Sequence, residues 1–324
     1  MAINVNEVKR RLLVLLNNPN LVNEYIRQYG PTIDIKCIKA VKESQKRNIP
    51  PDAKHQDGDD PIFEIKAKCP VCNKEEITGY ELRAKTQQVT QNRFLVPSYT
   101  GTQNYNTVDY SLIAVTICPR CLYASPDKKD FIRHQIASGV EVKSQLSGSI
   151  LITLQEKIGE RKALLNSITD YETYFVRPRY YDSAMDSYRL AMSRAKVEAW
   201  YELPYSYYKL GSYALRIAKI MKDSSLDDTE TLEEALSYFE VAFRTSNCPA
   251  EDLEMQVIYL IIAINIRLND FNKANSYISV FSNLKNTRIA EMKENPQLTT
   301  TIIDKWNDRA KFLWEDRHCP SLFE

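Results

Sequence analysis

Apolar residues recur at intervals of three and four along most of this chain, and in one central stretch they alternate instead. Val5, Val8, Leu12, Leu15 and Leu16 place a stripe on one face of a helix over residues 3–16, which Asn17-Asn18-Pro19-Asn20 ends. Leu21, Val22, Tyr25, Ile26 and Tyr29 predict a second helix, stopped by Gly30-Pro31. Ile35, Ile38 and Val41 predict a third within residues 33–45. This N-terminal segment, residues 1–49, has the amphipathic period of an extra layer on a core. Residues 50–61, rich in Pro, Gly and Asp, read as a solvated linker. From Phe63 the period falls to two. Phe63 to Lys68 predicts a strand, Ile77 to Ala84 a strand or short helix, and Arg93–Val96 and Leu112–Ile117 two more strands. Tyr99 to Asp109 reads as a loop. Ser125-Pro126, followed by Asp127 and Asp130, predicts a helix over Asp127–Ala137 that carries His134.

Beyond residue 141 everything reads helical. Ile150, Leu151, Leu154, Ile158 and Leu165 predict one helix over 150–165. Ala184-x-x-x-Tyr188-x-x-Ala191 and Ala235-x-x-x-Phe239-x-x-Ala242 share a small-large-small pattern, and Ala274-x-x-x-Ile278-x-x-Phe281 is a weaker copy. That pattern belongs to the second helix of a tetratricopeptide-like repeat, where small residues let paired helices approach and the large one fills the neighbouring groove. Trp200-x-x-Leu203-Pro204-x-x-Tyr207 matches the first-helix pattern with proline in the glycine place. The leading alanines lie at 184, 235 and 274, so the spacing is irregular, with an insertion near Lys222–Thr229. Ile302, Ile303, Trp306, Ala310, Leu313 and Trp314 give a terminal helix over Thr299–Glu315 an apolar face suited to capping the array.

The strongest chemical signal is Cys69-Pro70-Val71-Cys72 with Cys118-Pro119-Arg120-Cys121. A tetrahedral ion takes two thiolates from one tight turn and two from another, and a two-residue spacer lets both sulfurs of a turn face one point. The candidate ligands of a Zn2+ ion are therefore Cys69, Cys72, Cys118 and Cys121. The long spacer Asn73–Ile117 implies that the ion clamps a small β-domain rather than a single hairpin. Four thiolates already close the site, so His134 is not needed as a ligand. The expected fold is α+β, mostly α: a β-containing four-cysteine zinc domain at 62–140, then a tetratricopeptide-like array with its capping helix at 141–324.

These residues carry a resemblance. The two cysteine pairs, the run Leu112 to Ile117 ahead of the second pair, and Leu122-Tyr123-Ala124 behind it are similar to an uncharacterised bacterial family known only as a domain of unknown function. The resemblance spans about residues 62–290. It implies an N-terminal four-cysteine metal domain and a C-terminal tetratricopeptide-like part, and no established activity. The family tends to place glycine after each cysteine pair, where this chain has Asn73 and Leu122.

Composition narrows the function. Lys and Arg number 43 against 42 Asp and Glu, which leaves no whole-chain electrostatic footprint for nucleic acid. A zinc-ribbon-type nucleic-acid binder is the alternative, on Lys66, Lys68, Lys74, Arg83, Lys85, Arg120, Lys128, Lys129 and Arg133, but interspersed acids dilute that set. Cys37, Cys248 and Cys319 have no partner spacing, which suits a reducing, cytoplasmic setting. No apolar run approaches membrane-spanning length, so no membrane insertion is expected. No phosphate loop, nucleophile elbow or His-Glu-x-x-His occurs. The expectation is a non-enzymatic scaffold that binds a protein partner, with a thiol or zinc redox sensor as a further alternative. Tyrosine concentrates between Tyr171 and Tyr213. On a helix starting near Val197, Trp200, Leu203, Tyr207, Leu210, Ala214 and Ile217 form the predicted buried stripe, with Tyr201, Tyr205 and Tyr208 beside it. Those three tyrosines either widen the core face or line a partner-binding surface.

Overall fold

The computed structural model of the chain describes residues 58–102, 104–134, 141–142, 144–319 and 322–323. The helices predicted within residues 1–49, the first part of the linker and Cys37 lie outside the described residues. The end of the expected linker belongs to the fold rather than to solvent. Asp59 exchanges backbone hydrogen bonds with Asn104 and Asn106, and the Asp60 carboxylate accepts from Arg177 at 2.6 Å.

Among the described residues the alternating stretch forms four antiparallel two-stranded ribbons. β1 (Ile62–Ala67) pairs with β2 (Ile77–Leu82), Ile62 opposite Leu82 and Ala67 opposite Ile77. β3 (Gln87–Gln91) pairs with β4 (Pro97–Gly101), β5 (Thr116–Ile117) with β6 (Ala124–Ser125), and β7 (Arg133–His134) with β8 (Glu141–Val142). Four expectations need correction. The loop expected over Tyr99–Asp109 begins only after Gly101, because Tyr99, Thr100 and Gly101 pair with Val89, Gln88 and Gln87. Residues 93–96 are the turn of the second hairpin: the Asn92 side chain accepts the N–H groups of Phe94 and Val96, and Leu95 sits at φ 59°. The strand expected over Leu112–Ile117 shrinks to β5, because Tyr110–Leu112 form a 3-10 turn capped by Asp109. Among the described residues no α-helix follows Asp127 up to His134. Lys128–Asp130 make one capped 3-10 turn, and Ile132 then pairs with Lys68. Burying Phe131 against Tyr123 and Asp130 against helix α4 (Tyr181–Trp200) overrides the local start signal.

The remainder is helical. The helix expected over 150–165 breaks at Lys157 into α1 (Gly148–Glu156) and α2 (Ile158–Ala163). α3 (Tyr171–Tyr174) is one turn. After α4 come α5 (Ser206–Asp223), α6 (Thr229–Arg244), α7 (Glu251–Arg267), α8 (Phe271–Glu291) and α9 (Thr301–Glu315). Short turns join α4 to α8, so successive helices run side by side in alternating directions. Ala184, Tyr188 and Ala191 on α4, Ala235, Phe239 and Ala242 on α6, and Ala274 and Phe281 on α8 are all buried, as the repeat pattern asks. The first-helix pattern expected at Trp200 to Tyr207 does not lie on one helix. Leu203-Pro204 lies in the turn between α4 and α5, whereas Leu210-Gly211 packs on α6: a Cβ on Gly211 would stand 2.7 Å from the Phe239 ring. The same turn ends the helix expected to start near Val197, and it leaves Trp200 84% exposed rather than buried. α7 is apolar almost all round because α6, α8 and α9 surround it. α9 buries Ile303, Trp306, Ala310 and Leu313 on that surface, as the apolar face predicts.

One apolar core crosses from ribbons to helices: Val96, Val108, Leu112, Ile113 and Val115 pack in the same cluster as residues of α4 to α9. Polar ties reinforce it. The Tyr188 hydroxyl donates to Ser111 O at 2.7 Å, and Arg179, fully buried, donates to the carbonyls of Leu112 and Val115. Burial pushes the Arg179 guanidinium down to about 10. A buried ionic network ties Asp130 to Arg194 and Arg194 to Glu198, and Lys209 reaches Glu198 at 2.7 Å.

Candidate metal centre

Each Cys-x-x-Cys pair closes one ribbon, Cys69–Cys72 between β1 and β2, Cys118–Cys121 between β5 and β6. The two loops are built alike. Cys69 N–H donates to Lys74 O at 2.9 Å and Asn73 N–H to Cys69 O at 3.0 Å. In the second loop Cys118 N–H donates to Tyr123 O and Leu122 N–H to Cys118 O, both at 2.8 Å. The residue after each pair is left-handed, φ 57° at Asn73 and 58° at Leu122. Asparagine tolerates that region; leucine there costs roughly 1–2 kcal/mol. Leu122 is fully buried, and burying a leucine side chain contributes roughly 1.5–3 kcal/mol in return. The absence of glycine therefore leaves both loops in the same conformation.

β2 and β5 bring the loops together. Their approach needs Gly79, where a Cβ would stand 2.6 Å from Thr116 Oγ1. The result is a cluster of four sulfurs, all within 4.8 Å of one another, with Cys69–Cys121 and Cys72–Cys118 each at 3.5 Å. These distances are far beyond a disulfide bond, and the cysteines are free. Sulfurs about 2.3 Å from a tetrahedral centre lie about 3.8 Å apart, so the donor set fits a thiophilic cation. Cys69, Cys118 and Cys121 are buried and Cys72 is half-buried. The thiols perturb one another strongly. Hydrogen bonding with Cys118, then Cys121, pushes Cys69 up, while hydrogen bonds from Cys118 and Cys69 bring Cys121 down. A group of thiols this close resists carrying several negative charges unless a cation joins it.

The helices complete the surroundings. Ile150 and Leu154 of α1 and Val197 of α4 share a core cluster with Cys69, Cys118, Cys121, Tyr123 and Phe131. Arg161 of α2 is 1% exposed, and its Nε donates to Cys121 O at 3.0 Å and its Nη2 to Leu154 O at 2.7 Å. Lys74, at the first loop, reaches Glu172 of α3 at 2.8 Å. The four cysteines were legible from spacing; Arg161 was not. It stands in Glu160-Arg161-Lys162, forty residues past Cys121, and such a charged run reads as a solvated helix face. Its one sequence cue is its place on the apolar side, three residues after Ile158 and four before Leu165.

The other singled-out residues lie elsewhere. His134 is on β7, not on a helix. Tyr201, Tyr205 and Tyr208 do not form a helical stripe. Tyr201 ends α4 and shares a hydrogen bond with Thr153 at 2.8 Å. Tyr205 is the left-handed residue before α5, φ 64°, and its N–H donates to Asn247 O at 2.7 Å. Tyr208 lies on α5 against Phe239, its hydroxyl bonded to Gln256 at 3.2 Å. The turn at Leu203-Pro204 breaks the helical spacing that would have aligned them. Cys248 is buried, its thiol pushed up to about 11 by burial, and Cys319 is exposed, so neither adds a ligand.

Two similar loops presenting four thiols, welded to a helical array, define a mostly helical α+β protein with a candidate thiolate metal centre. The chain belongs to the bacterial family described as "Uncharacterized protein conserved in bacteria (DUF2225)", whose model matches residues 62–308. That match includes both cysteine loops and runs into α9. No curated protein and no solved structure matches the chain. No helix among the described residues is long and apolar enough to cross a membrane.

Proposed function

We propose that the protein is a non-enzymatic scaffold in which Cys69, Cys72, Cys118 and Cys121 hold one structural Zn2+ and the tetratricopeptide-like helices offer a surface to a protein partner. The convergence of four sulfurs at near-tetrahedral spacing carries this reading. Four thiolates fill the coordination of zinc and leave no position for substrate, which favours a structural over a catalytic ion. The thiols must stay reduced to hold the ion, which fits the cytoplasm. Basic residues near the loops are largely engaged: Lys68 with Glu75, Lys74 with Glu172 and Lys128 with Glu81. That weighs against a nucleic-acid role, which needs free cations facing phosphate. On the helical side Trp200 stands in solvent next to Tyr201, whose partner Thr153 adjoins exposed Ile152 on α1. Exposed tryptophan and tyrosine side by side are typical anchors of protein interfaces.

Elemental analysis of the full-length protein made in zinc-supplemented medium tests the metal. One zinc per chain is expected, lost in Cys118→Ser; folded wild type with a stoichiometry near zero rejects it. For the surface, Trp200→Ser is expected to lower partner capture and to leave the melting temperature unchanged. Capture by a stable variant at the wild-type level rejects that anchor.

A further inference from the structure

Arg161 is a buried cation with an incomplete set of partners. Its Nε and Nη2 donate to the carbonyls of Cys121 and Leu154, but Nη1 is buried with no hydrogen-bond partner. Among the described residues no carboxylate pairs with it; every Asp and Glu in an ion pair is bound to another cation. Buried Arg179 also lacks a carboxylate, but all three of its nitrogens donate to carbonyls, whereas Arg161 keeps one nitrogen unsatisfied; burying such a guanidinium is expensive unless a negative charge offsets it. The thiol cluster is a candidate, since Arg161 is bonded to the backbone of Cys121 itself. A divalent cation with four thiolates leaves a net charge of minus two in a site whose ligands are mostly buried. A zinc dianion and a buried arginine thus each supply what the other lacks.

We propose that Arg161 is a metal-retaining residue: its guanidinium offsets the charge of the occupied thiolate site and fixes the second cysteine loop to the end of α1. The proposal rests on the zinc reading above. Two bonds of the planar fork hold Cys121 O and Leu154 O in fixed relation, so the orientation of the loop and the charge near its sulfurs depend on one side chain. A residue outside the ligand set that orients a ligand and tunes its charge typically changes metal affinity about ten- to hundredfold.

The test compares full-length wild type, Arg161→Met and Arg161→Lys by chelator competition for Zn2+. Arg161→Met is expected to weaken zinc binding by about tenfold or more. Arg161→Lys, which keeps the charge, is expected to recover most of that loss. In Co2+-substituted protein the thiolate-to-cobalt absorption should move to lower energy in Arg161→Met, because a cation near sulfur stabilises its lone pairs. A merely structural role would lower the melting temperature and leave affinity ratio and absorption in place. Folded Arg161→Met with affinity within twofold of wild type overturns the proposal. Should Arg161→Met fail to fold, Arg161→Lys decides by its cobalt spectrum: a thiolate-to-cobalt band at the wild-type energy supports the charge role, and a band shifted to lower energy although the charge is kept overturns it. Wild type that takes up no metal rejects the zinc reading and this inference together; wild type that binds zinc as tightly as both variants rejects this inference alone.

Discussion

The network Asp130–Arg194–Glu198–Lys209 makes a ranked prediction. Two cations and two carboxylates meet between the 3-10 turn after β6 and helices α4 and α5. Arg194 bonds both acids, Lys209 bonds Glu198 alone, and Ser125 Oγ donates to Asp130 at 2.5 Å. Glu198 is 0% exposed and Arg194 is 3% exposed. Glu198→Gln keeps the shape and removes the only carboxylate that two cations share, leaving Lys209 unpaired and Arg194 with Asp130. Asp130→Asn leaves Arg194 paired to Glu198 and the hydrogen bond from Ser125 available. Breaking a buried pair by removing one partner typically costs about 3–5 kcal/mol. Glu198→Gln, which loses two ion pairs at a fully buried carboxylate, should cost about 3 kcal/mol, since Lys209 is partly exposed, and Asp130→Asn, which loses one, nearer about 2 kcal/mol. Urea denaturation of metal-loaded protein measures both values, and Asp130→Asn with Arg194→Met closes a double-mutant cycle. A coupling energy of at least about 1 kcal/mol is expected for residues in one network. Asp130→Asn costing more than Glu198→Gln, or a coupling near zero, would refute this account of how ribbons and helices are joined.

Three further outcomes are expected. Gly211→Ala places a Cβ within 2.7–2.8 Å of three Phe239 ring atoms and should destabilise by roughly 1–3 kcal/mol in denaturant titration; an unchanged midpoint would show that α5 and α6 can move apart freely. Leu122→Gly relieves a left-handed leucine but empties a fully buried position, so it should be net destabilising by roughly 1–3 kcal/mol; a stabilised variant would mean that backbone strain outweighs packing there. Burial opposes the charge of Asp60, but the bond to Arg177 and the Ile62 N–H outweigh it, holding its carboxyl below the ordinary 3.8. Its contribution is therefore present above the unfolded value and lost as pH falls through the lowered folded value. Asp60→Asn should flatten acid unfolding in that window, and identical profiles for variant and wild type would contradict it.

Much of this was legible from residue spacing because it rests on local physics. Two cysteines per tight turn, the alternation in β1 and the small-large-small pattern on α4, α6 and α8 are short-range rules. The failures share a cause. The helix expected at Asp127, the continuous helix over 150–165 and the stripe through Trp200 and Tyr201 each followed a local signal into a place where distant contacts decide. Asp130 turns toward Arg194, which lies 64 residues away in the chain. Arg161 turns inward to a carbonyl 40 residues away. Leu203-Pro204 stands in a turn because the residue before proline disfavours helix, and that breaks the spacing from Trp200 to Tyr207. Arg161 and Arg179 escaped notice because a buried arginine has no sequence signature apart from its apolar neighbours.

Asn247 has a consequence for how the array moves. It lies in the turn between α6 and α7, and its side chain donates to Leu203 O at 3.0 Å while accepting from Tyr207 N–H at 3.1 Å. Its carbonyl also accepts from Tyr205 N–H, so one residue stitches this turn to the neighbouring α4–α5 turn. At the opposite end, the α5–α6 turn meets α7 through the ion pair of Asp228 with Arg267 at 3.3 Å, on a half-exposed guanidinium. The helices are thus clamped where Asn247 sits and joined more loosely at the far end, like the leaves of a book bound along one edge. Spreading motions are therefore expected to pivot at Asn247 and to be largest around Ser224–Asp228. Amide hydrogens should exchange along that gradient, fastest at Ser225 and Leu226 and slowest at Tyr205 and Tyr207, and any groove the array opens widens from the unbound edge.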